Sequence, residues 1–430
     1  MSSGDPPFGF SHRAHRTHEQ PISYLMAQAV DNPDIISLAA GLVDYPTLPA
    51  AEVAELAREL LGADDAAAKI PLQYGTTEGL APLRQRLLEH MAELDGVDVD
   101  HFGATAEQMV VSTGSQQLLL LLTELLVDPG DVVITSWPSY FVYTGALESF
   151  GAQVRCAEMD SGGMQVDALA ALLEELDDAG QIERLKIIYL VDYHQNPTGI
   201  TLAADRRPQI LELVRRYSRS HRILLIEDAA YRELTYEGQA PPSIKRGDTG
   251  NRFVALLQTF SKPFSPGLKT GYGLLPADLV EPVGLLKGSH DFGSANLCQH
   301  LLLRAMETDL YHRHVRKLCD HYARKRDAML AALQEHLGDF EPDSTRWTNP
   351  AGGLYVWLTL PRRIDTRRSS ALFASAMAEG ALYVPGAYCY PADAKRTPPT
   401  NTIRLSFGTP TIEQIHEGVA RLARAVRGAG

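Results

Sequence analysis

A series of short, largely apolar runs, separated by stretches of helical spacing, limits what this chain can fold into more than any other feature. The runs are Met109-Val110-Val111, Asp131 to Ser136, Gln153 to Met159, Leu185 to Asp192, Ile223 to Asp228 and Phe253-Val254-Ala255-Leu256-Leu257. Between them, Leu118 to Val127, Val166 to Leu176 and Leu202 to Tyr217 carry apolar residues at helical spacing. Strands alternating with helices predict a mainly parallel sheet buried on both faces. Ligands of such sheets sit outside the carboxyl ends of the strands. That edge would hold Tyr140 after Trp137-Pro138-Ser139, Asn196 in the turn His194-Gln195-Asn196-Pro197-Thr198-Gly199, Asp228, and Lys262.

The last of these lies in Thr259-Phe260-Ser261-Lys262-Pro263-Phe264-Ser265-Pro266-Gly267-Leu268-Lys269, directly after the final apolar run. A lysine among apolar neighbours can lose its proton and attack a carbonyl group. Hydroxyls and a second cation beside it suit a phosphate. A phosphate-bearing aldehyde held by a lysine is pyridoxal 5′-phosphate; the plainer alternative is a surface loop rich in Ser and Lys. Ser112-Thr113-Gly114-Ser115-Gln116-Gln117 opens a helix, whose free N–H groups and positive dipole end can hold an anion, or are simply capped by Ser112 or Ser115.

Elsewhere, Ala50 to Leu61 predicts a helix stopped by Gly62, and Leu80 to Glu93 predicts another after the polar loop of Tyr74. The cluster His12, Arg13, His15, Arg16, His18 predicts a mobile tail or, as the alternative, a basic arm for an anionic partner, and Ile35 to Gly41 predicts an extended segment crossing other structure. From about Gly284 the character changes to long helical stretches reaching Leu337, followed by a smaller sheet from Gly352 to Leu358, Leu382 to Gly386 and Thr402 to Gly408. Period-two alternation in the last puts Arg404 with Thr402 and Ser406, opposite Ile403, Leu405 and Phe407. A helix from Thr411 to Val426 closes the chain. We expect an arm over residues 1–48, a large domain over 49–300 and a small α+β domain over 301–430.

Composition narrows the function. A net charge of −13 argues against nonspecific nucleic-acid binding, and no run has the length of a membrane span. Met1-Ser2-Ser3-Gly4-Asp5-Pro6-Pro7 has no signal-peptide core. Cys156, Cys298, Cys319 and Cys389 lack metal-site or disulfide spacing, so we expect no metal and a cytoplasmic location.

Leu72-Gln73-Tyr74-Gly75-Thr76-Thr77-Glu78-Gly79, Gly114-Ser115-Gln116-Gln117, Gln195-Asn196-Pro197-Thr198-Gly199, Asp228-Ala229-Ala230-Tyr231, Thr259-Phe260-Ser261-Lys262 and Ile403-Arg404-Leu405-Ser406-Phe407 stand in the order found in one family. From Pro33 to Ala425 the chain resembles the pyridoxal-phosphate (PLP) enzymes of fold type I, specifically the class I/II aminotransferases. Within them it is similar to the aminoadipate/kynurenine and aromatic aminotransferases, and to the aminotransferase-like half of MocR regulators.

The resemblance implies a seven-stranded-type, mainly parallel sheet between helices and a ping-pong transfer of an amino group. The donor would be an aromatic, branched or 2-aminoadipate-like L-amino acid, and 2-oxoglutarate the expected acceptor. Lys262 would carry the cofactor and act as acid/base catalyst, Asp228 would pair with the pyridine nitrogen, and Asn196 and Tyr231 would bond the phenolic oxygen. Tyr140 would stack on the ring. Ser115 and Gln116 (through backbone N–H), Thr259, Ser261 and Lys269 would hold the phosphate, with Tyr74 reaching it from the other subunit of a homodimer. Arg404 would grip the substrate carboxylate, and Gly41 would lie over the substrate. The sequence departs from the family at Lys269, more often arginine, at Thr259, more often serine, and at Ala40 and Leu42-Val43-Asp44-Tyr45, so substrate preference is not inherited. Arg13, Arg16 and His18 are the candidates for a second carboxylate. A PLP β-lyase would use the same lysine, aspartate and arginine. A PLP-binding regulator would need a DNA-binding domain, for which the stretch before Ile35 is short.

Overall fold

The computed structural model describes residues 8–19, 21–62 and 66–429; Met1–Pro7 lies outside them. The predicted strands form one sheet in the order Met109–Ser112, Gly271–Leu274, Val254–Thr259, Leu224–Asp228, Leu185–Val191, Val132–Trp137, Gln153–Asp160, Gly163–Met164. The run from Val254–Thr259 to Gln153–Asp160 is parallel throughout. Gly271–Leu274 runs antiparallel to both its neighbours. The eighth strand, Gly163–Met164, is a two-residue hairpin partner beyond the expected seven.

Burial explains why these runs alternate in role rather than in polarity. Ile187, Tyr189, Leu224 and Ile226 pack with Leu118, Leu122 and Leu147 on one face. Ile188, Leu190 and Leu225 pack with Leu169, Leu173 and Ile210 on the other. Both faces of each strand therefore meet helices, and a polar face would have had no water to meet.

A second, antiparallel sheet runs Arg346–Trp347, Tyr355–Thr359, Thr402–Ser406, Val384–Pro385. Its core includes Leu333 and Leu337 from the helix Leu310–Leu337 and Val419 and Leu422 from the helix Ile412–Ala429. The expected strand 382–386 is split: Ala381–Leu382 pairs in parallel with Ile36–Ser37, and only Val384–Pro385 joins the small sheet. The N-terminal segment is thus pinned to the C-terminal part of the chain, as the amide of Ser406 also shows by donating to the Leu38 carbonyl at 2.7 Å.

Other expectations shift for local reasons. The helix predicted from Leu202 starts at Arg206, which leaves Pro208 in the first turn, where its missing N–H costs nothing. The stretch to Leu337 breaks into Asn296–Glu307 and Leu310–Leu337 because Asp309 takes a left-handed conformation at φ 57°. The basic arm is no free tail: Arg13 lies 3.8 Å above the Phe150 ring, and Arg16 Nε donates to the Ser149 carbonyl at 3.2 Å. Both cations sit on the C-terminal end of the helix Phe141–Phe150, where the dipole favours them. A further helix, Pro21–Asp31, follows. No helix among the described residues is long and apolar enough to cross a membrane.

One glycine sets the spacing between sheet and helix. A Cβ on Gly271 would lie 2.3 Å from the Ser115 nitrogen and 2.5 Å from the Gly114 carbonyl carbon, both backbone atoms that cannot swing aside. Gly271→Ala is therefore expected to destabilise the protein by about 1–3 kcal/mol, read by urea unfolding; an unchanged midpoint would contradict this packing.

Candidate active site

Outside the carboxyl ends of the parallel strands lies a cavity of about 380 Å³. Its lining brings together Gly41, Ser115, Gln116, Tyr140, Asn196, Asp228, Tyr231, Thr259, Ser261, Lys262, Lys269 and Arg404, which are all the residues expected to hold the cofactor or the substrate's α-carboxylate and cover it, except one. The exception is Tyr74, which is 81% exposed and packs edge-on against the Phe292 ring.

Asp228 ends the strand Leu224–Asp228 and is buried. Its Oδ2 accepts from the Tyr189 hydroxyl at 2.9 Å, whereas Oδ1 is buried with no hydrogen-bond partner among the described residues. Burial pushes this carboxyl up to about 6, opposed by the Tyr189 hydroxyl and the Ala230 amide. Tyr189 itself is pushed well above the usual phenol range, by burial first and then by Asp228, so it stays a hydrogen-bond donor.

Arg404 is the opposite charge. It is 1% exposed, its Nη1 donates to Asn196 Oδ1 at 2.9 Å, and its Nη2 donates to the Ala39 carbonyl at 2.7 Å. Its Nε is buried without a partner, and among the described residues no carboxylate forms an ion pair with it. Instead the guanidinium lies 4.5 Å from the Tyr355 ring centre and 5.4 Å from that of Phe141.

Lys262 Nζ donates to the Gly41 carbonyl at 2.9 Å and lies 6.0 Å from the Tyr231 ring centre. Gly41 is confined from its other side: a Cβ there would meet the Tyr355 hydroxyl at 2.5 Å. That hydroxyl is 3.2 Å from the Tyr231 hydroxyl, and burial raises Tyr231 well above the ordinary phenol value. Burial likewise raises Tyr140.

At one end of the cavity the helix Ser115–Leu126 begins with Gly114 at φ 71° and no side-chain cap, leaving its first amides open. Thr259 Oγ1 is 3.0 Å from Ser261 Oγ, and Lys269 stands exposed at φ 50° after the turn Pro266–Leu268. Uncapped amides, two hydroxyls and an ammonium group form an anion cradle. Toward the N-terminal helix the wall is apolar, formed by Ile22, Met26, Leu42 and Val142. Arg13 and Arg16 do not line the cavity, because the helix end at Ser149 and Phe150 holds them.

Sequence reasoning missed Tyr189, Tyr355, Ile22 and Met26. Tyr189 carried a signal, being the one phenol inside the apolar run of its strand. Ile22, Leu25, Met26 and Ala29 stand at helical spacing.

The charge on Asp228 has a measurable cost in the cofactor-free protein. Its folded pKa is raised, so the cost is absent below the ordinary 3.8, grows as pH rises, and is complete above about 6. Asp228→Asn keeps an acceptor for Tyr189, and is expected to stabilise the cofactor-free protein by about 1–3 kcal/mol above that window. Urea unfolding should show this gain vanish near the lower pH; a gain independent of pH would contradict the assignment.

Comparison with known proteins places this arrangement in context. A family model described as aminotransferase class I and II matches residues 33–422. Aromatic-amino-acid aminotransferase 1 of Thermococcus litoralis is 34% identical, over 97% of this chain and 94% of its own length. The crystal structure of a kynurenine aminotransferase of Pyrococcus horikoshii, in complex with PMP, KYN and KYA, superposes with a TM-score of 0.87 at 32% identity, covering 97% of both chains. An α-aminoadipate aminotransferase of Thermus thermophilus, complexed with N-(5′-phosphopyridoxyl)-L-leucine, gives a TM-score of 0.82 at 30% identity over 98% of this chain and 97% of its own.

Proposed function

The chain belongs to the class I and II aminotransferases, PLP-dependent enzymes that move the amino group of an amino acid, and from that premise we propose how its own residues do so. The observation that carries the reading is a pair of buried, incompletely satisfied charges lining one cavity: among the described residues, neither Asp228 Oδ1 nor Arg404 Nε has a hydrogen-bond partner. Each is costly to bury alone. A ligand with a cationic ring nitrogen at one end and a carboxylate at the other satisfies both, so the residues fit pyridoxal phosphate with an amino acid beside it.

When bound, the cofactor supplies an electron sink for the charge that develops at the substrate's α-carbon. Asp228 would hold the proton on the ring nitrogen. Asn196 and Tyr231 would bond the phenolic oxygen, and Tyr140 would lie against the ring. The amides of Ser115 and Gln116, the hydroxyls of Thr259 and Ser261, and Lys269 would hold the phosphate. Lysine at 269 brings one point charge where a guanidinium would bring a fork, so the helix amides and hydroxyls carry more of the specificity there. Lys262 would hold the cofactor covalently at rest; once a substrate's amino group has displaced it, the freed Nζ would take the proton from the substrate's α-carbon and deliver it to the cofactor's carbon. Arg404 fixes the α-carboxylate, and Gly41 covers the substrate and excludes water.

The donors are amino acids with apolar side chains, aromatic or branched. Ile22, Met26, Leu42 and Val142 supply the wall that receives them, and every charged group of the lining already has a task. 2-Aminoadipate and the acceptor, 2-oxoglutarate, direct their second carboxylate to the open mouth, where water solvates it.

The working unit is a homodimer. Ile70, Leu72, Tyr74, Leu285 and Phe292 are exposed apolar or aromatic groups, the kind of surface a second copy covers. Tyr74 then reaches the phosphate of the partner's site. The chain divides into an arm over 1–48, a large domain over 49–300 and a small one over 301–430, in keeping with the separate cores of the two sheets. A cytoplasmic location agrees with the unpaired cysteines.

Steady-state kinetics over a panel of donors tests the substrate reading. Phenylalanine, tyrosine or leucine should exceed aspartate in kcat/KM by about 10-fold or more; aspartate as the best donor would overturn it. Lys262→Ala should lower kcat by about 100- to 10,000-fold; near-full turnover would remove Lys262 from the proton transfer.

A further inference from the structure

We propose that His90, Glu93 and His312 form a site for a divalent transition-metal ion, between the helix Ala81–Asp95 and the first turn of Leu310–Leu337. His90 and Glu93 stand one turn apart on the first helix and His312 faces them from the second. Each offers one ligand atom, and these atoms all lie within 4.8 Å of one another. Two nitrogens and one carboxylate oxygen, with a further position open to water, are the donor set of zinc-class ions.

The buried ring of His90 gives the second observation. Its Nε2 lies 3.0 Å from Glu233 Oε2, and Glu233 Oε1 accepts from the Tyr311 hydroxyl at 2.6 Å. A carboxylate so fixed takes the N–H of Nε2 and turns Nδ1 toward Glu93 and His312. Nδ1 is buried, has no hydrogen-bond partner among the described residues, and stops 3.7 Å short of Glu93 Oε2. An imidazole oriented by a carboxylate through one nitrogen, with the other unpartnered, is how proteins set a histidine ligand for a metal.

The structure also shows what holds the place now. Arg86 donates to Glu93 at 2.8 and 3.2 Å and its Nη2 lies 3.4 Å from His312 Nε2. Glu89, 3.5 Å away, is its ready alternative partner. Arg86 is therefore a resident competitor rather than part of the site. Glu233 follows Tyr231 by two residues, so an ion here braces the loop that carries Tyr231 without touching the reaction.

Cobalt(II) titration of the chelator-treated holoenzyme tests the proposal, read by the visible bands of low-coordinate cobalt. We expect saturation at one equivalent per chain, loss in His312→Ala, and weakening by about 10-fold or more in Glu93→Gln. Arg86→Gln should bind more tightly than the unaltered protein. Absence of a saturable signal would overturn the site. So would a signal that His312→Ala and Glu93→Gln leave unchanged, which would put the ion on the arm histidines His12, His15 and His18.

Discussion

A buried guanidinium with no carboxylate partner among the described residues is the constraint on which this structure depends. Arg404 binds Asn196 of the large sheet's edge and the carbonyl of Ala39 in the N-terminal segment, while it projects from a strand of the small sheet. One side chain therefore joins three separate pieces of chain around the cavity. Neutral acceptors and two aromatic faces soften the cost of burying its charge without cancelling it. The remaining deficit is an affinity for an anion, placed opposite the deficit of the opposite sign at Asp228.

The rest of the architecture keeps that arrangement closed. Asp44, three residues beyond Gly41, is buried and accepts from Lys325 Nζ at 2.7 Å, and the same ammonium donates to the Gly408 carbonyl at 2.6 Å. A cation on the helix Leu310–Leu337 thus clamps the segment over Lys262 to the turn that follows the strand of Arg404. Gly408 must be small for this, since a Cβ there would lie 2.3 Å from the Leu42 carbonyl oxygen. On the other side, the pairing of Ile36–Ser37 with Ala381–Leu382 fixes where the segment enters. Rigid elements on both sides leave Gly41 as a cover whose position is set by its anchors.

Much of this was legible in the chain itself. Strands buried on both faces read as continuous apolar runs, and the residues that end such runs fall on one edge, so Asp228, Asn196, Tyr140 and Lys262 could be placed together from their positions alone. Period-two alternation likewise put Arg404 on one strand face with Thr402 and Ser406, though not beside Asn196 or Ala39. What stayed hidden depends on contacts distant in sequence. Nothing local shows that Arg13 and Arg16 cap a helix ending at Phe150, or that Tyr355 stands behind Gly41. The break at Asp309 was equally silent, because a single left-handed residue leaves the apolar spacing on both sides intact.

Arg404 as the receptor for a carboxylate is the point on which the site's function turns. The direct measurement compares the half-reaction of an aromatic amino acid with that of the amine lacking its carboxylate, in the unaltered enzyme and in Arg404→Gln. A buried charge pair lost from one side costs enough to slow the amino acid by about 100-fold or more, while the amine, which never used the guanidinium, should react at a nearly unchanged rate. Equal losses for both compounds would make Arg404 a structural joint only and contradict the account.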